Sequence, residues 1–110
     1  MRRAALVATL LVAVVAGAEP RTIELALKDG RLPDTQRLVR VQQGDEVTLT
    51  WTTDRPYTLH LHGYELEATL TPDKPATVRF TAGATGRFPM EIHGPRGEER
   101  TVGYLEVHPR

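Results

Sequence analysis

The chain has 110 residues, with 14 Lys and Arg balanced by 14 Asp and Glu, four His and no Cys. Neutral charge gives no electrostatic basis for holding nucleic acid or an anionic membrane, and without Cys neither a disulfide nor a thiolate is open to it. Ser is absent as well, and no phosphate-binding loop or dinucleotide glycine motif occurs, so the chain reads as a binding protein and not as an enzyme.

The first segment reads as an address. Met1-Arg2-Arg3 is positive, Ala4 to Val15 is apolar apart from Thr9, and Ala16-Gly17-Ala18 has small residues at the cleavage positions. This is the pattern of a secretory signal peptide over residues 1–18. The apolar run is shorter than the about 20 residues a membrane-spanning helix needs. Cleavage after Ala18 leaves one domain over residues 19–110, periplasmic or secreted, with no membrane insertion. Its 12 basic and 14 acidic residues give it a net charge of −2.

From there apolar residues recur every second position, with turn residues every eight to twelve, which predicts an all-β sandwich or barrel. Thr22 to Leu27 carries Ile23, Leu25 and Leu27 on one face, and Lys28-Asp29-Gly30 turns the chain. Arg37 to Val41 ends at the turn Gln43-Gly44-Asp45. Glu46 to Thr52 buries Val47, Leu49 and Trp51, before a break at Asp54-Arg55-Pro56. Tyr57 to His62 and Glu65 to Leu70 flank Gly63. Pro72 to Pro75 is a turn, Ala76 to Thr81 a strand, and Arg87 to Ile92 another. His93 to Arg100 reads as a loop, and Thr101 to Val107 closes the chain.

One irregularity stands out. Leu59 and Leu61 bury odd positions, whereas Leu66, Ala68 and Leu70 bury even ones. Side chains cannot change phase along a regular strand. A bulge or bend therefore lies between them, and Gly63 is the residue best able to adopt it.

The order of these pieces resembles the cupredoxins, in particular the short periplasmic cupredoxin-like proteins, a domain also found fused to iron-uptake proteins. The segments that carry the resemblance are Val41-Gln42-Gln43-Gly44-Asp45-Glu46-Val47-Thr48-Leu49, Thr58-Leu59-His60-Leu61-His62-Gly63-Tyr64, Thr85-Gly86-Arg87-Phe88 and Val102-Gly103-Tyr104-Leu105-Glu106-Val107. The resemblance implies an antiparallel Greek-key β-sandwich. It also implies a copper site with one His from the middle strand, and a Cys, a second His and a Met from the last loop. The first His falls on His62. The Cys position falls on or near Ile92, the second His among Gly94 to Arg96, and the Met near Thr101. Blue copper needs the thiolate, so no blue site is expected.

What remains is a metal site built from His62, His93 and Met90, with His60 as a helper. His60 and His62 sit about 6.6 Å apart on one face of a strand. His93 ends a later strand. Met90 shares its phase with Phe88 and Ile92, so core packing competes with a ligand role. His108 reads as exposed. Imidazole suits copper, zinc and nickel, and a thioether favours Cu(I). Two functions follow as expectations. One is copper handling or transfer at a His-based, non-blue site. The other is a metal-free module that binds a protein partner in the cell envelope.

Overall fold

Alternating apolar and polar side chains give each strand one face for the core and one for water. The computed structural model describes residues 4–5 and 19–110. Apart from Ala4 and Ala5, the segment read as a signal peptide lies outside the described residues. No helix among the described residues is long and apolar enough to cross a membrane. The strands are β1 (Pro20–Leu27), β2 (Leu38–Gln42), β3 (Glu46–Thr53), β4 (Tyr57–Leu61), β5 (Leu66–Leu70), β6 (Ala76–Thr81), β7 (Gly86–His93) and β8 (Glu99–His108). A short 3₁₀ turn over Asp34–Gln36 precedes β2.

Two sheets form, one ordered β1-β3-β6 and the other β2-β8-β7-β4-β5. Leu25, Leu49 and Trp51 from the first meet Leu59, Met90 and Leu105 from the second, and all six are at most 1% exposed. The sandwich is the expected architecture, with most neighbours antiparallel. Two pairs, β1 with β3 and β2 with β8, are parallel. The cause is connectivity. β2 belongs to the opposite sheet, so the chain leaves β1, crosses over, and returns beside it as β3 in the same direction.

The phase change at Gly63 is a full reversal of the chain rather than a bulge within one strand. β4 and β5 form a hairpin closed by the pair Leu61 and Leu66, with Leu59 facing Ala68. Odd positions of β4 therefore share a face with even positions of β5. Gly63 takes a φ of +87°, and a Cβ there would run into the Phe88 ring. The Tyr64 hydroxyl donates to the Ala84 carbonyl at 2.7 Å and accepts its N–H at 3.1 Å. Its ring lies 4.9 Å from Phe80 and 5.0 Å from Phe88. These contacts hold the hairpin tip in place.

At the turn between β2 and β3, Asp45 is fully buried. Its carboxylate accepts the Gln42 N–H at 2.9 Å and pairs with Arg21 at 3.4 Å and with Arg110. Burial alone would raise this carboxyl. The Gln42 hydrogen bond and the two guanidinium charges outweigh burial and hold it below the ordinary Asp range. A depressed carboxyl stabilises the fold above the unfolded-state pKa, and that contribution is lost as pH falls through the folded value. We therefore expect Asp45→Asn to cost about 2 kcal/mol at pH 7. Below about pH 4, where an unfolded Asp takes up its proton, the gap between wild type and variant should close. Thermal unfolding followed by circular dichroism from pH 7 to pH 2 reads both effects. A gap that persists unchanged at pH 2 would show that Asp45 does not act through its charge.

Candidate metal centre

In β4 the odd positions enter the core, so His60 points outward. In β7 Met90 and Ile92 are buried, so Glu91 and His93 point outward too. β4 and β7 are antiparallel neighbours, with His60 opposite Glu91 and Thr58 opposite His93. On the other side of β4, His60 faces Glu67 of β5. His62 follows β4 directly, and its N–H donates to the Pro89 carbonyl at 3.1 Å, which keeps the chain beside β7 as the hairpin begins.

Two of the imidazoles, His62 and His93, approach Glu91. One of its oxygens is 2.5 Å from His62 Nε2, and the other is 3.8 Å from His93 Nε2. The His60 ring lies between the other two imidazoles, 4.5 Å from His93 and 6.0 Å from His62 between centroids. Its Nε2 is 3.8 Å from Glu67. On the far side, His93 Nδ1 is 3.4 Å from Glu99 of β8. Glu91, His93 and Glu99 offer ligand atoms within 4.8 Å of one another. His93 Nε2 is buried and has no hydrogen-bond partner. The imidazoles themselves are only half-buried.

Glu99 reaches this face through an irregularity in β8. Glu91, Ile92 and His93 pair with Thr101, Arg100 and Glu99, but Met90 pairs with Gly103. Val102 is the extra residue of a bulge, and it is buried. Beyond it, Leu105 and Val107 turn the odd positions of β8 inward. Before it, Glu99 and Thr101 hold odd positions outward, beside His93 and Glu91.

Three of the four residues expected from the sequence are thus brought together: His60, His62 and His93. His60, expected as a helper, occupies the middle. Met90 is not brought to them. It is fully buried on the opposite face of the sheet, because one step along a strand reverses the side chain. His108 lies elsewhere, 3.1 Å from Glu106. Glu67, Glu91 and Glu99 were not among the residues expected at the site. The alternation of β7 puts Glu91 with His93, but only the pairing of β7 with β4 joins them to His60.

The end of the sandwich where the resemblance implies copper is different. A cavity of about 420 Å³ opens there, lined by Tyr57, Ile92 and the loop Gly94–Arg96 among others, with Asp29, Glu98 and Glu99 set against Arg55, Arg96 and Arg100. Ile92, in the Cys position, points into the core at 3% exposure. A blue copper centre does not fit these residues. The outward cluster has a different donor set, imidazole and carboxylate, which suits a divalent ion of borderline softness.

No protein-family profile matches the chain, and no curated protein matches it. Solved structures do. A copper nitrite reductase from Nitrosomonas europaea is similar at a TM-score of 0.63 and 20% identity, over 84% of this chain and 42% of that one. A copper binding protein, solved in its apo form by NMR, is similar at 0.66 and 13% identity, over 81% and 88%. A multicopper oxidase is similar at 0.61 and 19% identity, over 83% and 39%. The chain therefore spans less than half the length of the reductase and of the oxidase. The fold is that of the cupredoxins.

Proposed function

We propose that this chain is an exported cupredoxin-fold protein that holds Cu(II) on the outer face of its larger sheet, at His60, His62, His93 and Glu91. The observation that carries the reading is the gathering of three imidazoles, from β4, the hairpin and β7, on one face of the sheet, with two of them, His62 and His93, against the carboxylate of Glu91. Imidazole and carboxylate donors bind copper more tightly than zinc or nickel by the Irving–Williams order. The copper-protein neighbours agree with that choice of metal. With Met90 on the opposite face, no thioether among the described residues reaches the cluster, so the Cu(I) preference expected from Met90 is dropped in favour of Cu(II).

Half-exposed ligands suit handling and transfer of the ion to an envelope partner. Exposure lets an incoming ligand replace one imidazole at a time, whereas a buried site would hold the metal fixed. Titration of the mature protein with Cu(II), read by electron paramagnetic resonance and visible absorption, tests the reading. We expect one ion bound with micromolar or tighter affinity, a tetragonal nitrogen-coordinated signal, and no strong band near about 600 nm, where thiolate charge transfer would absorb. Affinity no tighter than about millimolar, at the edge of specific binding, would remove the copper reading and leave the metal-free partner-binding module.

A further inference from the structure

We infer that Glu99 is a positioning residue that fixes the tautomer of His93, holding the proton on Nδ1 and presenting Nε2 to the metal. The inference rests on the copper reading for what Nε2 is presented to, but the tautomer itself is a property of the protein alone.

A neutral imidazole carries one N–H and one lone pair, and the hydrogen bond made by one nitrogen decides the role of the other. Glu99 Oε1 is 3.4 Å from His93 Nδ1. The contact is longer than an ordinary hydrogen bond, but an ionised carboxylate only accepts. This is the carboxylate oxygen nearest to either ring nitrogen of His93, so its charge favours the proton on Nδ1. The other nitrogen has no competing claim. Glu91 is already engaged by His62 at 2.5 Å, and its second oxygen is 3.8 Å from His93 Nε2, beyond hydrogen-bond reach. Nε2 is also the buried atom left without a partner. A lone pair held there is a ligand in waiting.

The β8 bulge decides which group stands next to His93. With the pairing of Met90 and Gly103 continued without a shift, Arg100 would face His93. The extra residue Val102 puts Glu99 there instead. A guanidinium only donates and would require the Nδ1 lone pair, which would leave the proton on Nε2 and block it as a ligand. The irregularity in β8 therefore gives the histidine a carboxylate where a regular strand would give it a cation.

The test uses wild type, Glu99→Gln and Glu99→Ala. Glu99 is mostly exposed, so the variants should fold. Long-range proton–nitrogen NMR of the metal-free protein reads the tautomer, and titration with Cu(II) alone reads affinity. Wild type and Glu99→Gln, whose amide oxygen still accepts, should show His93 protonated on Nδ1 and bind copper alike. Glu99→Ala should show mixed tautomers and lose about tenfold in affinity, as happens when the group that orients a ligating histidine is removed. Protonation on Nε2 in metal-free wild type would overturn the inference. So would a Glu99→Gln variant that loses as much copper affinity as Glu99→Ala, because the carboxylate would then be a direct ligand. Wild type with the Nδ1 proton but no copper binding would remove the copper reading and leave the role of Glu99 standing. Copper binding with the proton on Nε2 would do the reverse.

Discussion

Replacing His60 and His93 together by Ala should lower Cu(II) affinity at least a hundredfold, a loss of about 2.8 kcal/mol, while leaving the protein folded. These two rings are the closest pair of imidazoles in the cluster, 4.5 Å apart. Without them His62 and Glu91 remain, and they already satisfy each other at 2.5 Å. An ion would have to break that contact and would gain only two protein ligands. Both histidines are outward-facing and half-buried, so their truncation opens no core cavity, and surface substitutions of this kind usually change stability by within about 0.5 kcal/mol. Competition titration against a chelator of known affinity, with thermal unfolding as the control, separates loss of metal from loss of fold. His108→Ala, remote from the cluster, should bind copper as wild type does.

A large loss of stability should come from Gly103→Val. Gly103 sits in β8 beside the bulge, opposite Met90. A Cβ at this position would lie 2.6 Å from the Arg37 carbonyl oxygen and 3.0 Å from Met90 Cε. The methionine end can swing aside, but the carbonyl cannot. It belongs to the backbone and accepts the Tyr104 N–H at 2.8 Å, at the start of the β2–β8 pairing. Relief therefore means prying β2 from β8 and disturbing the Met90 layer beneath. We expect a loss of about 3 kcal/mol or more, at the upper end for overpacking. In a domain of this size that lowers Tm by about 12 °C or more. Gly83→Val is the matched control, since a Cβ there meets nothing within 4 Å. Equal Tm values for the two variants would contradict the packing argument.

The fold was largely written in side-chain alternation. Ile23, Leu25 and Leu27, then Val47, Leu49 and Trp51, declare strands and buried faces without reference to any partner. The same parity test found the reversal at Gly63, although parity alone could not tell a bulge from a hairpin. Parity also marks the β8 bulge, because Val102 is buried on an even position and Leu105 and Val107 on odd ones. Read as one regular strand from Thr101, that segment hides the signal.

The site was only partly legible. The spacing of His60 and His62 on one strand is local information, and so is the shared face of Glu91 and His93. Which strands become neighbours is not local. The approach of β7 to β4 puts Glu91 among the imidazoles, and the bulge carries Glu99 to His93. Met90 attracted a ligand role by its thioether, yet an odd separation from His93 along β7 places the two on opposite faces.

The most direct test of the central claim is a crystal structure of the copper-loaded protein with the copper located by its anomalous scattering. One strong peak is expected on the outer face of the larger sheet, about 2 Å from ring nitrogens of His60, His62 and His93, a normal metal–imidazole bond length. A peak in the end cavity beside Ile92 and Gly94, or at His108, would contradict the claim.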